Sequence, residues 1–337
     1  MTKFRLQTLL PCLGLVLAGL VVVSLGIGPV SITPGRVLTV LMGQDPAATP
    51  EATIVRDIRL PRVVLAVLVG GMLGLSGAVM QGFFQNPMAD PYIIGVSSGA
   101  ALGATVALSL SLDFWVWGIS SVSVFAFAGA LGASLLVAGI SLRGGRLPVT
   151  VVLLSGVAVA SLASALTPLV MLMAHADLQR IFYWLMGSLA ARRWDHVQMV
   201  WPYALGGVIF LQFYARDLNL ILQGEEQAQY LGVEVEKVKR ILLLVSALMT
   251  AAAVAVSGVI GFVGLIVPHV MRLLVGPDHR RLFPASVLGG AILVVGADLL
   301  ARQLLAPAEL PIGVITSLLG GPFFLYLLRR SREGLAR

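Results

Sequence analysis

Between Arg62 and Gln81 the chain reads RVVLAVLVGGMLGLSGAVMQ, with one charge at its first residue and almost only apolar or small side chains after it. About twenty such residues wound as a helix cover roughly 30 Å, the thickness of a bilayer's hydrocarbon core. The pattern recurs along nearly the whole polypeptide. The predicted class is therefore an all-α, polytopic membrane protein whose work concerns crossing a bilayer.

Composition agrees. Charged residues make up 12% of the chain, against about 25% in a soluble domain. The 337 residues, at roughly 30 per span plus loop, accommodate about ten transmembrane helices in a single permeation domain covering 1–337. The spacing places them near Leu6–Gly28, Leu60–Phe84, Tyr92–Leu110, Val116–Leu142, Val149–Met173, Val197–Tyr214, Ile241–Ser257, Phe262–Val275, Pro284–Leu304 and Ile312–Leu328. The first follows Lys3 and Arg5, and its run to about Val30 is too long for a signal peptide's apolar region, so it reads as a transmembrane helix. Glycine (37) and proline (17) are abundant, as membrane helices tolerate, because small residues let backbones approach closely.

The net charge of +7 reads as Lys/Arg-rich cytoplasmic loops rather than as a nucleic-acid surface. With an even number of spans both termini share a side. Counted over the loops, that side holds fifteen Lys/Arg and the other eight, which places both termini in the cytoplasm. Three stretches outside the spans stand out. Residues 217–240, DLNLILQGEEQAQYLGVEVEKVKR, read as two short cytoplasmic helices punctuated by Gly224 and Gly232. An external stretch from Gly28 to Arg59 contains a short helix started at Thr33-Pro34. Residues 177–189 are amphipathic and too short to span, so they read as an external re-entrant or interfacial helix.

The chemistry the chain lacks is equally informative. It has three lysines, none after a glycine, so the phosphate-cradling GxxxxGK[ST] loop is absent. Asp298 is the one acid well inside a span and lies four residues before Arg302, the spacing of an ion pair rather than of a proton relay. His175, His196, His269 and His279 lack ligand spacing. The single Cys12 allows neither a disulfide nor a thiol pair. An enzyme therefore has no residue constellation behind it. An ion-coupled secondary carrier has only Asp298–Arg302.

Four long motifs then occur in order: RLPRVVLAVLVGGMLGLSGAVMQGFFQNPMADPYIIGVSSGAALGA from Arg59, GEEQAQYLG from Gly224, GFVGLIVPHVMRLLVGPDHRRLFPAS from Gly261, and ELPIGVITSLLGGPFFLYLL from Glu309. Through them the chain resembles, end to end, the FecCD family of iron-chelate and cobalamin permeases of type II ABC importers. The resemblance implies ten helices per subunit and a pathway between two copies. It also implies two separate ATP-binding subunits that hold ATP and Mg, a periplasmic or lipid-anchored binding protein, and residence in the bacterial inner membrane. No catalytic residue and no cofactor would belong to this chain.

By matching position, Gly224, Glu225, Glu226, Ala228, Tyr230, Leu231 and Gly232 would dock on the ATPase. Ala228 and Gly232 would keep one surface small, Tyr230 and Leu231 would supply apolar contact, and Glu225 and Glu226 would form a polar rim. Arg56, Arg59 and Arg302 would pair with acids of the binding protein, although Arg56 and Arg59 read equally well as interfacial anchors. Asn86, Met88, Val149 and Thr150 fall where the family's cytoplasmic gate lies. Ser97 and Ser98 would line the pathway or merely pack, and Arg180 would meet a cargo carboxylate or lipid headgroups. The implied cargo is a bulky iron chelate, ferric siderophore or haem, with cobalamin as the alternative.

Overall fold

The computed structural model describes residues 6–44, 49–116, 118–173 and 178–335. Among them the fold is helical throughout: α1 Leu6–Gly26, α2 Pro34–Leu41, α3 Pro50–Thr53, α4 Leu60–Phe83, α5 Val96–Ser109, α6 Ser121–Ser141, α7 Val149–Met173, α8 Leu178–Leu185, α9 Trp194–Phe213, α10 Ala215–Ile221, α11 Glu225–Tyr230, α12 Val235–Ser257, α13 Val263–Val275, α14 His279–Gln303 and α15 Ile312–Leu335. A two-residue strand pair, Trp115–Val116 with Ile119–Ser120, is the one sheet among the described residues. Six helices are long and apolar enough to cross a membrane: Thr8–Gly26, Pro50–Phe83, Ser121–Ser141, Val149–Met173, Val235–Ser257 and His279–Gln303. Each of the ten segments expected to span coincides with a helix. The short helix expected from Thr33-Pro34 is α2, with Thr33 extended at the N-cap and Pro34 in the first turn.

Where boundaries differ from expectation, local chemistry explains the shift. The third apolar segment becomes α-helical only at Val96, because Pro91–Ile94 forms a 3-10 turn and Gly95 takes a φ of 81° that only glycine adopts cheaply. Helix α6 begins at Ser121, after the strand pair, with Ser120 Oγ accepting from the Ser123 amide. Helix α14 begins before Pro284. That proline has no N–H to offer the Arg280 carbonyl, and Gln212 Nε2 donates to the carbonyl instead, at 3.1 Å.

Helix α4 lies at the centre. In its most apolar window 83% of residues are buried, against 22% in α1, which leaves α1 at the periphery. Glycines set how closely α4 approaches its neighbours. A Cβ on Gly70 would lie 2.2 Å from the Gly290 carbonyl oxygen, and one on Gly77 2.0 Å from that of Gly264, so α14 and α13 meet α4 backbone to backbone. A second seam of this kind joins α5 to α6 through Gly99 and Gly129. Polar side chains inside the bundle are bonded across helices. Gln81 of α4 donates to the Leu265 carbonyl at 3.1 Å and accepts from Arg272 of α13 at 2.7 Å.

Candidate functional site

Helices α10 and α11 form the expected pair of short helices, and the glycines between and after them have φ of 137° at Gly224 and 85° at Gly232. Tyr230 is 91% exposed and Leu231 67%. Two large apolar side chains thus stand unpartnered on a polar loop, where a protein contact would bury them. Glu226 is exposed beside them. Ala228 corrects the expectation of an open small-residue surface: it is fully buried and packs α11 onto its own chain, whereas a Cβ added at Gly232 would meet nothing. A six-residue helix completes under two turns, and its inward face cannot be read from spacing.

Glu225 is not a free rim carboxylate. Its Oε1 pairs with Nζ of Lys239, a buried lysine in the first turns of α12. Lys239 also lies 3.5 Å from Glu236, whose other oxygen accepts from the Leu147 amide at 2.6 Å. Arg240 donates to the Gly145 carbonyl at 3.1 Å. The first turns of α12 therefore grip both α11 and the loop that leads into α7. Charges one turn apart in EVEKVKR were the visible signal, but the sequence reading did not single out Glu236 and Lys239.

Of the expected gate residues, Val149 shares a cavity of about 420 Å³ with Glu225, Glu236, Lys239, Phe84 and Gln85. Thr150 is exposed at the start of α7. Asn86 is exposed too, and its Oδ1 accepts from the Met88 amide at 2.9 Å, an Asx turn that shapes the loop after α4. In the same loop burial pushes the Asp90 carboxyl up to about 6, against the pull of the Tyr92 amide, which it caps at 2.8 Å.

The opposite end is tied together by arginines. Arg59 is 6% exposed and donates to the carbonyls of Leu25 at 2.7 Å, Gly26 at 3.0 Å and Val30 at 2.6 Å. Arg302 is 9% exposed and bonds Ser24 Oγ at 2.6 Å and the Ser24 and Ile27 carbonyls at 3.2 Å. Together they satisfy the unpaired carbonyls that end α1 and place positive charge on the negative end of its dipole. In this structure neither guanidinium is presented to a docking protein, which corrects the sequence-based role. Arg56 is half-buried and donates to the Val40 carbonyl at 2.9 Å. The expected Asp298–Arg302 pair is present at 3.2 Å, and Arg62 joins it, 2.9 Å from Asp298 and clamping Glu309 through two 3.0 Å bonds.

The residues assigned to the pathway fall at opposite ends. Ser97 and Ser98 are half-buried in the first turn of α5, with Ser98 donating to the Gly95 carbonyl at 3.1 Å. Arg180, on α8, lines a cavity at the far end. Part of the expected 177–189 helix is seen as α8, while Asp177 and His175 lie outside the described residues.

A bundle of long apolar helices whose charges gather at its two ends, with a short helix pair at one of them, defines a multi-pass membrane protein. Residues 15–330 match the FecCD transport family, and the chain belongs to that family. It is 50% identical over 276 residues to the cobalamin import system permease protein BtuC of Halobacterium salinarum, covering 82% of this chain and 73% of that one. It is 47% identical over 280 residues to the hemin transport system permease protein HmuU of Yersinia pestis, covering 82% and 83%. The fold is similar to a solved inward-facing metal-chelate type ABC transporter, with a TM-score of 0.83 at 35% identity over 96% of this chain and 99% of the other.

Proposed function

We propose that the chain is the membrane-spanning permease subunit of an ATP-driven importer, with ten crossing helices and both termini in the cytoplasm of an inner-membrane protein. Two copies enclose the pathway. Separate subunits bind and hydrolyse ATP against α10–α11, and an external binding protein delivers a bulky iron chelate, haem or ferric siderophore. The excess of Lys/Arg at the α11 end supports the orientation. The relatives named for cobalamin and hemin import support the cargo class, and 50% identity to the former keeps cobalamin as the second reading.

One observation carries the mechanism: exposed Tyr230 and Leu231 sit on a helix whose Glu225 is held by Lys239, while Glu236, beside that lysine, holds the loop before α7. Movement of the ATPase subunits pushes α11. The push passes through Lys239 and Glu236 to Leu147, Pro148 and Val149, and the cytoplasmic mouth changes width. ATP supplies the bias by binding one state of the complex more tightly than the other. Outside, Arg56 and its exposed surroundings meet acids on the binding protein, and such pairs speed encounter and set register.

The test is Leu231→Asp. It places a charge at the centre of the proposed contact, and co-purification of the ATPase subunits with the permease is expected to fall to background. Normal assembly and normal uptake would remove α11 from the interface.

A further inference from the structure

Away from α11, a cavity of about 680 Å³ opens between the end of α5, the 111–123 segment, α8 and the 188–196 segment. That volume lies within the roughly 300–1,000 Å³ typical of small-molecule sites. Its walls are mixed: Trp115 and Tyr183 offer aromatic faces, and Ser111 and Ser188 offer hydroxyls. Ser188 Oγ accepts from the Ala190 amide at 3.1 Å, which leaves its own O–H to donate.

Arg192 lines the same cavity, and its bonding is incomplete. Nη1 lies 3.2 Å from His196 Nε2, while the buried Nε has no partner. Among the described residues no carboxylate comes within 4.0 Å of it, although Asp113 stands elsewhere on the wall. His196 is 7% exposed and cannot serve as the counter-charge. Its Nδ1 faces the Arg193 amide at 3.4 Å and its Nε2 faces Arg192; a neutral imidazole accepts at one nitrogen only, so it bonds one of these donors and supplies no negative charge. Burial lowers the Arg192 guanidinium to about 10, which still leaves it charged at neutral pH. A desolvated cation on the wall of a cavity, with no carboxylate beside it, is costly unless something anionic arrives. The neighbouring arginines have compensating partners by comparison: Arg59 donates to carbonyls, Arg302 has carbonyls and the Asp298 carboxylate, and Arg62 has Asp298 and Glu309.

We infer that this cavity receives the carboxylate of an anionic metal chelate, with Arg192 as its counter-charge, Ser188 as a second donor, and Trp115 and Tyr183 against the apolar body. The inference rests on the importer reading above and narrows its cargo to carboxylate-bearing chelates with an apolar body, of the haem kind, rather than a neutral corrinoid. The aromatic walls favour a flat apolar body, and Asp113 disfavours a second carboxylate at its own position.

The experiment is uptake into proteoliposomes by the complete complex, with permease, ATPase subunits and receptor. The probes are haemin, haemin dimethyl ester, ferric citrate and cobalamin, given to wild type, Arg192→Gln and Arg192→Lys. For at least one carboxylate probe, Arg192→Gln is expected to raise the half-saturating concentration about tenfold or more, the usual effect of losing a charge-assisted bond. Arg192→Lys is expected to recover part of the affinity. The ester is expected to be taken up weakly and to be indifferent to residue 192. Equal losses for haemin and its ester would mean that Arg192 only supports the fold here and would overturn the inference. Cobalamin uptake that ignores Arg192→Gln, with neither carboxylate probe transported, would overturn it while leaving the importer reading intact. Weakened receptor docking in the absence of any probe would reassign Arg192 to a protein contact and also overturn it. If wild type moves no probe when ATP is present, the inference is overturned, and the importer reading is then decided by Leu231→Asp.

Discussion

Arg59 and Arg62 stand three residues apart at the head of the same helix, and their neighbours in space decide different work for them. Arg59 faces the end of α1 and donates three bonds to its carbonyls, whereas Arg62 faces α14 and pairs with Asp298, 236 residues away. A basic residue at a helix head is plain in sequence; the acceptor it meets is not. This is why Arg56, Arg59 and Arg302 looked alike in sequence as docking residues and two of them proved to be caps. Arg59→Met leaves those carbonyls buried without a donor and is expected to cost about 3 kcal/mol of stability. Thermal unfolding in detergent would read it as a lowered midpoint. Unchanged stability with lost receptor binding would return Arg59 to the docking surface. Asp90 gives a pH-dependent expectation. Its carboxyl titrates near 6 in the fold, above its ordinary 3.8, so the fold is favoured when Asp90 is protonated. Stability is therefore expected to fall as pH rises from about 4 to about 6 through this group and to stay lower above that. Asp90→Asn keeps an oxygen that accepts from the Tyr92 amide but removes the charge. It is expected to flatten that portion of the profile, and a profile identical to wild type would contradict the assignment.

At the scale of elements, the apolar runs were the most legible part, because a helix inside a bilayer needs length and apolarity and both are written in composition. Boundaries were less legible wherever polar residues continue a helix. Helix α12 starts at Val235, six residues before the apolar run, because VEKVKR makes ion pairs and loop contacts instead of entering solvent as coil. Those contacts join α11 to the loop before α7. Lys239→Met is expected to leave the ATPase subunits attached, since Tyr230 and Leu231 are untouched, and to lower the cargo moved per ATP hydrolysed. A double cycle with Glu225→Gln measures whether the two residues act as a unit. Additive effects would show that the pair carries no motion. Glycine seams make a second expectation. Gly77→Ala drives a Cβ into the Gly264 backbone and is expected to cost roughly 1–3 kcal/mol. Gly132→Ala, where nothing lies within 4 Å, is expected to be neutral. Equal effects at the two positions would contradict the close approach of α4 and α13.

Across the whole molecule the chain has two polar ends and a greasy middle, and the ends do different things. One end is basic, carries α10 and α11, and holds the α6–α7 loop by ion pairs and hydrogen bonds. The other is stapled by buried arginines and opens the cavity beside Arg192. The absence of a P-loop and the scarcity of acids inside the apolar runs were visible in sequence. The cavity was not visible, because Ser188, Arg192, Trp115 and Tyr183 come from three separate stretches that only the packing of α5 and α8 brings together. At the centre of the proposed mechanism, an ATPase acting on α11 drives the movement of cargo. Proteoliposomes bearing the complex, loaded with cargo on the receptor side and energised from the α11 side, test it directly. Uphill uptake is expected with ATP, none with an ion gradient alone, and none when Leu231→Asp replaces the wild-type permease. Uphill uptake by the permease alone, driven by an ion gradient without ATP, would contradict the account.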